Sequence, residues 1–195
     1  MEKAQEAKEK IIEAAIELIE ASDGDIESIT TRAIAEKAHV GTGLINYHFQ
    51  TKENLIELCV QRIIGNVILQ FKPESAQALK GADLLAEVAK RVADFLAENP
   101  AVSQISILGD YKSPGTFDNT VKTMKGFNIS LSDVEIPEPK STVVLFTLVS
   151  VLQAFFLRRD TSGELLGFDF NQKGQRDSFI DLLVHQLFRE GNHHE

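Results

Sequence analysis

The chain has 195 residues, 43% of them hydrophobic, and a formal net charge of -9 at pH 7. That length suits one small domain plus a larger one with an ample core, and the acidic balance excludes a protein that grips nucleic acid through a broad basic field. One cysteine, Cys59, excludes an internal disulfide and fits a reducing compartment; its place beside Leu58 in a helical pattern points to burial.

The opening MEKAQEAKEK is charged and lacks the apolar core of a signal peptide, so we expect a cytoplasmic protein. Glu6 to Ala21 is predicted as an amphipathic helix, with Ile12, Ala15, Ile16 and Ile19 on one face and Ser22-Asp23-Gly24-Asp25 as its stop. Next comes the most informative stretch, TTRAIAEKAHVGTGLINYHFQTK from Thr30 to Lys52. Ile34, Ala35 and Ala38 share one helical face, and a second apolar set, Val40, Leu44, Ile45, Tyr47 and Phe49, follows after a break too short for a loop. Two short helices crossing tightly through His39-Val40-Gly41 read as a helix-turn-helix, whose second helix, from about Thr42, would enter a major groove.

The charge distribution agrees with that reading. Residues 1 to 29 carry three Lys against nine acids, -6, whereas residues 30 to 52 carry Arg32, Lys37 and Lys52 against Glu36 alone, +2. Glu9, Glu13, Glu17 and Glu20 recur at helical spacing, an acidic stripe expected to be solvated and to face away from DNA.

At this stretch the chain resembles the TetR family of bacterial one-component repressors. The resemblance rests on Thr30-Thr31, Ile34-Ala35, Gly43, Tyr47-His48-Phe49 and Thr51-Lys52-Glu53 followed by Leu55, all at the family's offsets, and it is close over roughly residues 8 to 60. Three positions depart from the family pattern. His39 stands where the turn usually has Gly, so a non-Gly residue is expected to hold a left-handed conformation. Gly41 replaces a Ser, removing a capping hydroxyl, and Asn46 replaces a Tyr. The resemblance implies a sequence-specific regulator, a repressor, that binds a near-palindromic operator as a homodimer and is released by a small hydrophobic effector.

Geometry assigns roles within the segment. Thr31 and Lys52 open helices, where free N–H groups favour a phosphate. Arg32 reaches a guanine edge or the backbone, unless it pairs with Glu36 one turn on. Thr42 touches a base, Gly43 lets the backbone come close, and Asn46 either hydrogen-bonds an adenine edge or contacts phosphate and water. Tyr47 and His48 serve phosphates or pack in the core, and Phe49 is core alone. We place the DNA-binding domain at residues 1–51 and an effector-binding and dimerisation domain at 52–195, joined by a helix from Lys52 to about Phe71 that Pro73 ends.

The rest reads as helical too, giving an all-α protein. Leu85, Val88, Ala89, Val92 and Leu96 make a stripe that Asn99-Pro100 terminates; Gly109, Ser113-Pro114-Gly115 and Gly126 are expected to punctuate shorter helices, and Ser130 to Lys140 a loop. Val143 to Leu157 is apolar almost all round, too short for the ~20 residues of a membrane span, with Thr147, Ser150 and Ala154 as a small-residue face. The last helix, from about Gln175 to Arg189, carries two stripes: Phe179, Leu182, Leu183 and Gln186, beside Ile180, Val184, Leu187 and Phe188. Two stripes need two partners, so these last two helices are the expected four-helix dimer interface, the alternative being a monomer core that covers both.

Eleven of the twelve Phe follow residue 70, an aromatic-rich composition suited either to an apolar effector pocket or to ordinary core. Tyr111, Asn119 and Gln153 are the polar groups considered for such a pocket, and none is assigned to it. We find no catalytic spacing, no phosphate-cradling glycine motif and no metal-ligand set; His48 has no second ligand one turn away, and His193-His194 are too few. We therefore expect no enzyme activity, no cofactor and no membrane partner. The alternative function is a helical ligand-binding or protein-interaction module with weak or no operator binding.

Overall fold

The computed structural model describes residues 2–22, 24–70, 79–131 and 137–189. Its described residues form ten helices and no strand: α1 (Glu2–Glu20), α2 (Thr31–Lys37), α3 (Thr42–Phe49), α4 (Lys52–Gln70), α5 (Gly81–Glu98), α6 (Pro100–Lys112), α7 (Asn119–Ile129), α8 (Lys140–Leu157), α9 (Ser162–Leu166) and α10 (Lys173–Arg189). They divide into two compact units, one holding α1 to α4 together with Asn99–Gly109, the other holding α5 and the chain from Asp110 onward. The first unit thus continues past residue 51 through α4 and takes in most of α6. Phe71, Pro73, Asp23 and His193-His194 lie outside the described residues, as does most of the Ser130 to Lys140 loop.

In the first unit, α1 turns Ile11, Ile12, Ala15 and Ile19 inward against Ile34 and Ala35 of α2, Ile45 and Phe49 of α3, and Leu55, Ile56, Cys59 and Val60 of α4. Burial of each of these Ile side chains contributes on the order of 2 kcal/mol. Three short helices cannot exclude enough water by themselves. α4 completes the core, and so do Val102 and Ile105 of α6, which no local pattern announces. Gln104 of α6 also packs over Gly24, whose φ of +86° and whose missing Cβ, which would meet Gln104 Cβ at 3.0 Å, both require glycine in the turn after α1. Cys59 is buried in this core, where desolvation pushes its thiol up to about 12, and it is therefore unreactive.

The turn between α2 and α3 is held by a pair of hydrogen bonds, His39 N–H to Glu36 C=O at 3.2 Å and Val40 N–H to Ala35 C=O at 3.0 Å. That is a Schellman motif with His39 in the left-handed position, φ 55°, as its place in the turn predicts. A side chain in that conformation costs about 1 kcal/mol. His39→Gly is therefore expected to raise stability by somewhat less than that, about 0.5 kcal/mol, because glycine also loosens the unfolded chain; His39→Val should lower it, and thermal unfolding of the three proteins at one concentration checks the order.

The second unit is built on α8, whose Val144, Leu145, Leu148, Val149, Leu152, Phe155 and Phe156 are buried against α5, α7 and α10. α5 contributes Leu85, Ala86, Ala89, Ala93 and Leu96, and ends before Pro100, which opens α6 at the position where a missing N–H is harmless. Phe155 stacks edge-on with Phe170 at 5.0 Å and tilted on Phe179 at 4.1 Å, and Phe156 meets Phe170 at 5.7 Å. These rings fill one another's space as core. Gly109 and Gly126 do not punctuate helices: they lie inside α6 and α7, where packing outweighs a cost of about 1 kcal/mol for a mid-helix glycine. The short α9 was not expected.

Beneath α10 lies a polar cluster. Arg176 is only 5% exposed, and its Nη atoms donate to Asp94 Oδ1 at 2.6 Å and to the Phe170 carbonyl at 2.7 Å. Lys173 donates to the other oxygen of Asp94 at 2.6 Å. Burial alone would push the Asp94 carboxyl up, but the hydrogen bonds from Lys173 and Arg176 outweigh it and hold the group below the usual carboxylate range.

Candidate nucleic-acid interface

Thr30 caps α2 by accepting from Ala33 N–H at 3.0 Å, which places Thr31 in the first turn and Arg32 on the exposed side. α3 begins at Thr42 behind Gly41, whose backbone is extended and which offers no side-chain cap. Ile45 and Phe49 point inward one turn apart, which turns Gly43, Asn46 and Tyr47 outward, and Thr42 is exposed as the first residue of the helix. Nothing lies within 4 Å of a Cβ added at Gly43, so the start of α3 is open to close approach. The Asn46 side chain makes no hydrogen bond among the described residues.

Tyr47 is 78% exposed, which removes the core-packing alternative for it. It meets the His48 ring edge-on, with centroids 5.0 Å apart. His48 is half-buried, and its Nε2 is buried without a hydrogen-bond partner. Phe49 is core, with Lys8 Nζ 5.9 Å from its ring centroid.

α3 ends abruptly at Gln50, φ 67° and ψ -53°, where Thr51 N–H donates to the Phe49 carbonyl at 2.8 Å. This is the strained form of γ-turn, which no feature of the sequence signals. It lets Thr51 cap α4 through Asn54 N–H at 3.1 Å, while the Asn54 side chain donates to the Phe49 carbonyl, also at 3.1 Å. α4 therefore starts with Lys52 beside the end of α3.

Each cation between Thr30 and Lys52 has a partner within the chain. Arg32 Nε donates to Glu36 Oε1 at 2.9 Å, Lys37 Nζ sits 2.6 Å from Glu17, and Lys52 Nζ donates to the Ile26 carbonyl at 3.1 Å. Arg62 of α4 takes Glu9 at 2.7 Å, and that hydrogen bond lowers the Glu9 carboxyl. Glu9 and Glu17 are thus ties from α1 to α4 and α2, while Glu13 and Glu20 are exposed. The acidic stripe is not simply a solvated face.

In the second unit, the face of α8 away from its core carries Val143, 59% exposed, and Phe146, 55% exposed, beside the half-buried Thr147 and Ser150 and the exposed Ala154. On α10, Ile180 and Val184 are buried, whereas Leu182 is 55% exposed, Gln186 is exposed, and Phe179 and Leu183 are half-buried. The stripe with Ile180 is the inward one of the two. Of the polar groups considered for a pocket, Tyr111 is exposed, while Asn119 and Gln153 are buried. Gln153 Nε2 donates to Thr120 Oγ1 at 2.8 Å, and that hydroxyl donates to Asp110 Oδ2, also at 2.8 Å.

Residues 11–59 match the family model described as bacterial regulatory proteins, tetR family. No curated protein matches the chain. Among solved structures, a TetR transcriptional regulator from Rhodococcus sp. RHA1 is similar at 20% identity and a TM-score of 0.61, over 97% of this chain and 98% of that one. BioQ of Mycobacterium smegmatis gives 16% and 0.69, over 94% and 98%. FadR of Bacillus subtilis, solved in complex with stearoyl-CoA, gives 16% and 0.61, over 92% and 97%. At these identities the likeness speaks to the fold, over nearly the whole chain.

Proposed function

We propose that this chain, whose residues 11–59 match the tetR family of bacterial regulatory proteins, is a transcriptional repressor of that family which binds a near-palindromic operator as a homodimer and is no enzyme. The observation that carries this is the exposed face of α3, Thr42, Gly43, Asn46 and Tyr47, set on a packed three-helix head with Arg32 and Lys52 at the adjoining helix starts. A head of this kind reads too few bases for useful specificity alone, so two copies must act on one site. The outer side of α8, with Val143, Phe146, Thr147, Ser150 and Ala154, is apolar or small and at least partly accessible in the single chain, as are the apolar Leu182 and the polar Gln186 one turn on in α10, which supports these two helices as the surface that joins them.

Asn46, exposed and without an internal partner, reads an adenine edge through its amide. Thr31, Tyr47, His48 and Lys52 hold phosphates, and Thr42 and Gly43 let the start of α3 approach the bases. A small hydrophobic effector bound in the second unit completes the reading. It must bind the DNA-incompetent state more tightly than the competent one, and DNA must weaken its binding by the same factor.

Titrating the full chain against a randomised duplex pool at several salt concentrations tests the function. Sequence-selective, salt-dependent binding is expected, and its absence overturns the reading. Asn46→Ala is expected to relax one base position in each half-site by about tenfold, whereas Lys52→Ala should weaken all duplexes alike and lower the salt slope by about one. If the two variants give the same profile, Asn46 is not a base reader.

A further inference from the structure

Arg32 is held at one edge only. Its Nε donates to Glu36 Oε1 at 2.9 Å, and neither Nη makes a hydrogen bond among the described residues. Both side chains are exposed, on a helix whose inner face is fixed by Ile34, Ala35 and Ala38. A guanidinium carries its five N–H groups in one rigid plane, so holding Nε orients the plane while leaving the two Nη groups available. That end-on edge has the spacing of guanine O6 and N7. The other two cations of the segment have no such plane to orient, and each is already tied to an element of the head.

Resting on the operator-binding reading above, we propose that Glu36 is a positioning residue which makes Arg32 a guanine reader. The carboxylate acts in two ways. It aligns the guanidinium before DNA arrives, and it brings the charge of the pair near zero, so that Arg32 adds little to attraction for any phosphate and is used fully only where both Nη groups meet a base edge. Specificity then comes from an acid on the DNA side of the protein, at a position where an ordinary surface ion pair would contribute nothing to it.

The test uses the full-length protein to enrich duplexes from a synthetic library with a randomised core, with binding to an unselected random duplex measured alongside. Wild type is expected to show a G·C preference at one position of each half-site, and Arg32→Lys to lose it. Glu36→Ala should reduce that preference about tenfold while strengthening binding to the random duplex. Glu36→Gln, whose amide oxygen still accepts from Nε, should restore most of the preference yet keep the stronger random binding. Both side chains are exposed, so helix content by circular dichroism should not change. Full guanine preference in Glu36→Ala, or in Arg32→Lys, overturns the proposal. Failure of the wild type to enrich any motif overturns instead the operator-binding function beneath it.

Discussion

Phe146→Glu is expected to turn the protein into a monomer and to weaken operator binding by more than about 100-fold, the factor lost when two linked heads become two independent ones. Phe146 has no place in the core of its own unit, being 55% exposed on the α8 face that also carries Val143, Thr147, Ser150 and Ala154. A carboxylate there costs the single chain little. In a four-helix interface it would be buried without a partner, a cost of several kcal/mol, incurred twice by symmetry. Tyr111→Glu is the matched control, an exposed aromatic replaced by the same charge on a different helix, α6. Sedimentation velocity at several concentrations reads the assembly, and duplex titration reads the binding. A Phe146→Glu protein that remains dimeric would move the interface elsewhere.

The second large effect is on stability. Asp94→Ala is expected to destabilise the second unit by about 3 kcal/mol, because it leaves the Arg176 guanidinium buried with only the Phe170 carbonyl to receive it. Loss of the exposed Lys173 pair adds little. The pH dependence has a definite sign. Since Asp94 is held below its ordinary value, its contribution is present in full above the unfolded carboxylate pKa and disappears as pH falls through the lower, folded one. Asp94→Asn, which keeps an acceptor for Arg176, should lack that portion of the acid loss. Urea unfolding across the acid range at fixed protein concentration checks both variants, and an unchanged midpoint in Asp94→Ala would show that Arg176 is solvated when the head groups separate.

What the sequence reveals and what it hides follow from the range of each interaction. The helix-turn-helix was legible because its signals are local: Ile34 and Ala35 one turn from Ala38, a turn too short for a loop, Ile45 and Phe49 one turn apart. The left-handed His39 was legible through the resemblance, because it stands where the family's turn usually has Gly. The orientation of α10 was half legible. Its two apolar stripes could be read, but only packing against α5 and α8 decides that Ile180 and Val184 face inward. Gly109 and Gly126 misled because glycine's local cost is small beside the burial of the helices around it. The pairing of Lys37 with Glu17, and of Arg62 with Glu9, depends on distances between helices and leaves no periodic trace. The γ-turn at Gln50 is hidden for a different reason: no residue type demands it, and it is imposed by the need to start α4 at once.

The presence of Val102 and Ile105 in the core of the first unit bears on heredity as much as on folding. The helix-turn-helix unit is not a contiguous stretch of gene. A recombination that exchanged residues 1 to 70 between two such chains would carry over the proposed DNA-reading surface but leave behind two of the side chains that close its core. On the operator-binding reading proposed above, new specificity is therefore more readily gained by single substitutions on α2 and α3 than by swapping whole heads, unless the partner gene brings a compatible α6 with it.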